Sequence, residues 1–201
     1  MSKKIIWDKG NMLYPLPVVM VSCGETLEEY NIITIAWTGT VCSNPPMCYI
    51  SVRKNRHSYQ IIERTKEFVI NLTTKKLAYA TDWCGVKSGK TLNKFQEMKL
   101  TPEKATKINA PLIAEAPVNI ECVVKQIIPL GSHDMFLADV VCVNVDPDLL
   151  DKTTGNFELE KAKLITYSHG FYYHVADKIG KFGYSVEKQP KEKERWRKNK
   201  S

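Results

Sequence analysis

Residues 117–145 of the 201-residue chain, PVNIECVVKQIIPLGSHDMFLADVVCVNV, decide the fold. They contain two apolar runs of β character, 117–128 and 135–145, joined by a short segment that includes Gly131. Two such runs around a glycine-containing loop are typical of a β-hairpin. We therefore expect two long antiparallel strands at this point of the chain.

Further segments along the chain have the β-branched or alternating pattern of strands, whereas helical patterns are fewer and shorter. The additional predicted strands are 17–23, 33–42, 48–53, 67–72 and 163–167. The predicted helices are 58–65 with Ser58 as its cap, 75–84 ended by Gly85, and 91–98, with mainly loop over 101–116. Many strands with little β-α-β alternation indicate a mainly β fold, an antiparallel barrel or sandwich with helical decorations, and argue against a Rossmann sheet.

Length and charge favour one folded domain, residues 1–187, followed by a basic tail, residues 188–201. The formal net charge of the chain is +7, and the tail, with seven Lys or Arg and two Glu, contributes 7 − 2 = +5 of it. The folded part therefore has only a small excess of positive charge. We expect the tail to be solvated and disordered, the alternative being an arm that binds nucleic acid.

Several classes of protein are disfavoured by what the sequence lacks. No apolar run is long enough to span a membrane, and no signal-peptide pattern forms before Asp8. The six cysteines form no C-x-x-C pair and have no zinc-like spacing, so we expect reduced thiols, no metal site and a cytoplasmic protein. Neither a G-x-G-x-x-G nor a Walker A pattern is present, and no hydrolase motif was found.

The first candidate site is residues 51–58, SVRKNRHS, where a predicted strand ends and a predicted helix begins. Arg53 and Arg56 lie there together with the hydroxyls of Ser51 and Ser58. Guanidinium groups and the positive end of a helix dipole are good ligands for a phosphate dianion. The alternative is a charged turn that faces water.

The second candidate site is the predicted strand around residues 31–40, NIITIAWTGT. Small and hydroxyl side chains alternate along it, among them Ala36, Thr38 and Gly39. A flat aromatic ligand can lie against the backbone only where side chains are small. The alternative is a plain β-strand with Trp37 in the core.

Two loops complete the candidates. Ser88 and Gly89, with Lys94 on the following predicted helix, form a turn that can hold an anion, or else a solvated capping loop. His133 lies at the predicted hairpin tip, where an imidazole can donate a proton or bind phosphate near neutral pH; the alternative is an exposed loop histidine. The aromatic stretch 168–174, SHGFYYH, is expected to pack on the barrel.

Taken in order, five stretches resemble the flavin reductase-like, FMN-binding split β-barrel family, and most of all its flavoredoxin-type branch. They are NIITIAWTGTVCSNPP, YISVRKNRHSYQII, EFVINL, SGKTLNKF and the Gly-Ser-His-Asp loop. The likeness spans about residues 10–175. It implies an antiparallel Greek-key split barrel, in a homodimer that binds FMN near the subunit interface.

The resemblance also implies roles for the candidate residues. His133 would be a catalytic residue near the reactive face of FMN, although the family's loop more often has the order Asp-His. No metal ligand is implied. The implied FMN-binding residues are Ile35, Ala36, Trp37, Thr38, Ser51, Val52, Arg53, Arg56, Ser58, Ser88, Gly89 and Lys94.

The resulting prediction is an FMN-dependent oxidoreductase. Electrons would pass from NAD(P)H or a low-potential carrier through FMN to a small-molecule or electron-carrier partner, and the lack of a catalytic triad fits because the cofactor carries the chemistry. The first alternative is an FMN-binding electron carrier without NAD(P)H turnover. The second is a barrel that binds single-stranded nucleic acid, which the concentration of charge in the tail disfavours, so we expect neither a nucleic-acid nor a membrane partner.

Overall fold

The computed structural model describes residues 3–186, so the prediction of a disordered tail over 188–201 lies outside the described residues. The strands and α-helices alternate irregularly along the chain. In order they are β1 (Leu16–Pro17), β2 (Val19–Cys23), β3 (Asn31–Ile35), β4 (Thr38–Ser43), β5 (Pro46–Val52), α1 (His57–Thr65), β6 (Glu67–Leu72), α2 (Ala78–Val86), α3 (Lys94–Glu97), β7 (Pro102–Glu103), β8 (Leu112–Ile113), β9 (Val118–Pro129), β10 (Asp134–Val145), β11 (Ile165–Ser168) and β12 (Phe171–His174).

Seven of these strands form one antiparallel sheet in the spatial order β3-β2-β6-β9-β10-β5-β4. A second, three-stranded sheet has the order β1-β11-β12, and β7 pairs with β8. The large sheet curls into a split barrel, so the predicted mainly β, antiparallel fold class is confirmed. The predicted hairpin is confirmed too: β9 and β10 pair from Asp134 opposite Pro129 to Val145 opposite Val118, with two bulges.

The prediction of a single strand over 33–42 is wrong. The chain leaves β3 at Ile35 and enters β4 at Thr38, and these strands lie at opposite edges of the large sheet. The Thr38 N–H donates to the Ala36 carbonyl, and the Trp37 carbonyl accepts a hydrogen bond of 2.8 Å from the Ser51 N–H. Ala36 and Trp37 therefore cross between the two edges, where the curled sheet nearly closes.

Both faces of the sheet are covered at β2, which explains the continuous apolar run in this strand. Val19 and Val21 face a cluster inside the barrel that also contains Phe68 and Phe136, and helix α1 closes this cluster. Met20 points to the other face, into a cluster formed with α2 and α3. Alternate residues of one strand thus enter two different cores, as the period of two requires.

The helices differ from their predictions mainly at the ends. Helix α1 begins at His57 with Arg56 as its N-cap residue, so Ser58 is not the cap. Helix α2 follows a short 3₁₀ turn and continues through Gly85, where a Cβ atom would lie 3.2 Å from the Cβ of Thr34. Close approach to β3, rather than helix termination, accounts for this glycine. Helix α3 has only four residues, and β7 and β8 interrupt the predicted loop.

Among the described residues, no helix combines the length and apolar character that crossing a membrane requires.

Candidate functional site

Two adjoining cavities open where the barrel is split. We call the first, about 280 Å³ in volume and walled by Trp37, His133, Tyr167 and Tyr172, the aromatic cavity. We call the second, about 180 Å³ and walled by Lys87, Lys94 and other polar groups, the basic cavity. Arg56 and Ile33 line both of them, so the cavities adjoin at these side chains.

Nearly all the residues predicted from the sequence line one of these cavities. Those around the aromatic cavity are Ile35, Ala36, Trp37, Ser51, Val52, Arg53, Arg56 and His133. Those around the basic cavity are Arg56, Ser58, Ser88, Gly89 and Lys94. The fold thus brings together four segments that are separated by up to a hundred residues in the sequence.

Thr38 is the predicted residue that lines neither cavity in the described structure. Its hydroxyl donates to the Tyr49 carbonyl at 2.6 Å, and its N–H donates to the Ala36 carbonyl. Both donors are therefore used within the crossover and the β4–β5 pair. Thr38 shapes the turn that exposes Ala36 and Trp37 to the aromatic cavity.

The basic cavity has the chemistry of an anion site. Arg56, Lys87 and Lys94 contribute positive charge to its wall, and none of the residues that line it has a carboxylate. Lys94 is buried and donates to the Cys84 carbonyl at 2.7 Å. Burial is the main reason that its pKa is lowered from 10.5 to about 8. An anion beside this ammonium would favour its charged form.

The N-terminus of α1 faces the same cavity. Arg56 is its N-cap residue, and the Arg56 side chain makes no capping hydrogen bond to the first turn. Backbone N–H groups at such a terminus, together with the helix dipole, attract phosphate and other anions. His57 and Ser58, the first two helical residues, both line the basic cavity.

Gly89 has a steric role in this wall. A Cβ atom at position 89 would overlap the amide of Asn31, which in turn donates to the Ser58 hydroxyl at 2.7 Å. The glycine therefore leaves room for the asparagine that braces Ser58. Asn31 was not predicted as a site residue, although it begins the stretch that was singled out as the second candidate.

His133 is fixed at the mouth of the aromatic cavity. The Arg53 Nε–H lies 3.4 Å from His133 Nε2, and the Ser132 hydroxyl lies 2.9 Å from Nδ1. Burial, and after it the charge of Arg53, lower the pKa of His133 below its usual 6.5. Both causes favour the neutral imidazole, and acceptance from Arg53 at Nε2 corresponds to the tautomer with its proton on Nδ1. Its ring is within 8° of parallel to that of Trp37, with the ring centroids 6.5 Å apart.

Two tyrosines and an aspartate of the aromatic cavity were missed as site residues. Tyr167 and Tyr172 come from the small sheet, and the Tyr172 hydroxyl donates to Asp82 of α2 at 3.0 Å. Burial and this carboxylate raise the pKa of Tyr172 to about 12. The stretch SHGFYYH does pack on the barrel, but its tyrosine also forms part of the cavity wall.

Comparison with known proteins relates this arrangement to flavoproteins. Flavoredoxin of Desulfovibrio vulgaris (Miyazaki F) is 26% identical with a TM-score of 0.84, and the match covers 93% of this chain and 100% of that one. An FMN-binding protein from Thermus thermophilus has the same fold with a TM-score of 0.74 and 20% identity, over 89% of this chain and 99% of that one. An uncharacterized protein of Archaeoglobus fulgidus is 28% identical over 131 residues, which cover 65% of this chain and 73% of the relative.

The family model described as "Flavin reductase like domain" matches residues 11–174, which include every residue of the two cavities. The matched range also contains the crossover, the Ser51–Ser58 segment and the hairpin tip. The chain therefore belongs to the flavin reductase-like family of split-barrel proteins, with flavoredoxin as a structural relative.

Proposed function

We propose that this protein is an FMN-dependent oxidoreductase, with the flavin ring in the aromatic cavity and the phosphate in the basic cavity. The observation that carries the proposal is the junction of the two cavities at Arg56 and Ile33. A flavin mononucleotide has a flat aromatic ring at one end and a dianion at the other. The two cavities have the matching characters in adjoining positions, and together they reach the usual size of a small-molecule site.

Arg56, Lys87 and Lys94 bind the phosphate in this proposal, with the N-terminus of α1 and the hydroxyls of Ser58 and Ser88 as further ligands. Three cations exceed the charge of one phosphate dianion. The remaining positive charge, on Arg56, lies towards the aromatic cavity, where Arg53 adds a second guanidinium. Bound FMN would supply the chemistry, the uptake and release of electrons. These arginines stabilise the negative charge that a reduced flavin ring carries.

Trp37 and Ala36 form the wall against which the ring would lie, because the crossover leaves their faces free of other strands, and Val52 at the end of β5 adds to this wall. His133 is the proposed catalytic residue at the mouth of the cavity. Its Nε2 atom keeps Arg53 in place, and its Nδ1 atom contacts the Ser132 hydroxyl. Tyr167 and Tyr172 exclude water from the side of the small sheet.

The proposed electron donor is NAD(P)H or a low-potential carrier, and the proposed assembly is a homodimer. Several large apolar side chains of the N-terminal segment are exposed in the single subunit, and a subunit interface would cover them. Ile6, Trp7 and Leu13 have exposed fractions of 100%, 76% and 85%. Sedimentation equilibrium would test the dimer, and a monomer at micromolar concentration would contradict it.

The proposal is tested by reconstitution with FMN and titration by flavin fluorescence. We expect a dissociation constant of at most about 1 μM, a free energy of about −8 kcal/mol. Arg56→Ala should weaken binding, whereas Lys104→Ala, which removes an exposed cation outside both cavities, should not. A wild-type chain that binds FMN no better than Arg56→Ala would refute the proposed site.

Stopped-flow mixing with NADH and NADPH then separates two electron-transfer functions. Loss of the flavin absorbance on mixing with either nucleotide is expected of the oxidoreductase. Unchanged flavin absorbance with both nucleotides would instead support an FMN-binding electron carrier without NAD(P)H turnover.

A further inference from the structure

A buried carboxylate beneath the two cavities joins two of the segments that line them. Asp134 is the first residue of β10, directly after His133, and its side chain is only 3% exposed. Its Oδ2 atom accepts a hydrogen bond from the Tyr59 hydroxyl at 2.6 Å. The same oxygen lies 3.3 Å from the Lys54 ammonium. Tyr59 is in the first turn of α1, next to Ser58 of the basic cavity.

Asp134 is also tied to the third segment of the site. Its backbone lies opposite Val52 in the pairing of β10 with β5, and Arg53 follows Val52 directly. The carboxylate thus lies where the end of β5, the start of α1 and the tip of the β9–β10 hairpin meet. Each of these three segments contributes a side chain to a cavity, although Asp134 itself lines neither of them in the described structure.

Fold stability alone does not account for a carboxylate at this position. The Oδ1 atom of Asp134 is buried and has no hydrogen-bond partner among the described residues. Burial of a charge with an unmatched oxygen costs free energy, and well-packed apolar residues of similar volume often stabilise such a position at least as well. An apolar residue at position 134 could not accept the hydrogen bond from the Tyr59 hydroxyl, whereas Asp134 does.

We propose that Asp134 is a positioning residue: through Tyr59, it fixes the first turn of α1 relative to the hairpin tip that carries His133. This inference rests on the proposed function, because it concerns a ligand that spans both cavities. The first turn of α1 would hold the phosphate end of FMN, and the hairpin tip would lie beside its ring end. The link between Asp134 and Tyr59 therefore sets how well one molecule fits both ends at once.

The link can be removed with little change to the core. The ring of Tyr59 packs edge-to-face on Phe136, with centroids 5.3 Å apart, so Tyr59→Phe removes the hydroxyl and keeps the ring contact. Asp134→Asn removes the charge and keeps the size. Glu63→Gln is the matched control, because Glu63 is an exposed residue of α1 whose Oε1 lies 3.3 Å from the same hydroxyl.

The experiment measures the dissociation constants of FMN and riboflavin for the wild-type chain and these variants. Riboflavin has the ring but no phosphate, so it does not need the two ends to be aligned. We expect the affinity for FMN to fall about tenfold in Tyr59→Phe and in Asp134→Asn. The affinity for riboflavin should stay within about twofold, and the double variant should bind FMN no worse than either single variant.

Equal losses for FMN and riboflavin, in variants with the wild-type circular dichroism spectrum, would indicate a general structural defect and overturn the inference. So would an unchanged ratio of the two affinities. If Asp134→Asn does not fold, Tyr59→Phe decides the question. A wild-type chain that binds neither flavin would refute the proposed function and this inference with it, whereas FMN binding with an unchanged ratio would refute the inference alone.

Discussion

Lys94→Met tests whether the basic cavity holds a desolvated ammonium before any ligand binds. Lys94 is 3% exposed, and burial lowers its pKa from 10.5 to about 8. The folded chain therefore binds the Lys94 proton less tightly than the unfolded chain does. Below pH 8 the lysine is charged in both states, and its burial lowers the free energy of unfolding by the greatest amount. This destabilisation decreases as pH rises from about 8 to 10.5.

The magnitude follows from the two pKa values. The pKa of Lys94 falls from 10.5 in the unfolded chain to about 8 in the fold. At about 1.4 kcal/mol per pKa unit, the charged lysine lowers the free energy of unfolding by about 3 kcal/mol at pH 7. This destabilisation is smaller by about 1 kcal/mol at pH 9. Lys94→Met removes it but also leaves the Cys84 carbonyl without its donor, which costs about 1–3 kcal/mol. The change of the stability difference with pH is therefore more informative than its value at one pH.

The assay is urea denaturation of the wild-type and Lys94→Met proteins at pH 7 and pH 9, followed by circular dichroism. The difference in free energy of unfolding, variant minus wild type, should be about 1 kcal/mol larger at pH 7 than at pH 9. Taking the difference removes most of the contribution of buried thiols, such as Cys84, that titrate in the same range. Inorganic phosphate should stabilise the wild type more than the variant. A stability difference that is the same at both pH values would refute the reasoning.

Three further substitutions test other parts of the site and fold. Gly89→Ala adds a methyl group that overlaps Asn31 and should weaken FMN binding about tenfold. The control Gly10→Ala, with no neighbouring atom within 4 Å, should bind FMN as the wild type does, and equal affinities of the two variants would contradict the steric role of Gly89. Arg53→Met should raise the pKa of His133 towards 6.5 in an NMR titration, since the guanidinium lowers it, and an unchanged titration would argue against the contact. Phe136→Ala should cost about 3–5 kcal/mol of unfolding free energy in urea, because this ring is fully buried in the barrel cluster; a loss below about 1 kcal/mol would contradict that placement.

The hairpin and the segment of helix α1 could be predicted because local patterns carry them, whereas the FMN-binding roles of the residues that line the two cavities were implied only by the resemblance to a family. The period of two in 117–145 sets the faces of β9 and β10, and the charged turn before α1 is contiguous in sequence. The break at Ala36 and Trp37 could not be predicted in this way, since the β-branched pattern continues through it. It arises because β3 pairs with its neighbour β2 while β4 pairs with its neighbour β5. These two hairpins lie at opposite edges of the sheet, because β2 pairs with β6 and β5 pairs with the distant β10.

Tyr167 and Tyr172 show the same limit in another part of the fold. They reach the aromatic cavity because β11 pairs with β1, a two-residue strand about 150 positions earlier in the chain, and β12 pairs with β11. Neither the length of β1 nor its partner is evident from its residues. The aromatic stretch 168–174 could be recognised in the sequence, but the residues that it contacts depend on the distant pairing of β11 with β1.

The crossover explains why fold and site coincide in this molecule. A barrel closed by continuous pairing of β3 with β4 would cover Ala36 and Trp37 with a neighbouring strand and leave no cavity. Instead, the strands separate at these two residues, and the Ser51 N–H to Trp37 carbonyl bond ties the gap to the end of β5. Arg53 and α1 follow directly from that end. The opening of the aromatic cavity and the position of Arg53 and α1 beside it therefore have one structural cause, whereas Lys87 and Lys94 reach the basic cavity from the end of α2 and the start of α3. A substitution that paired the strands across the crossover would therefore be expected to abolish the aromatic cavity and leave the two lysines of the basic cavity in place.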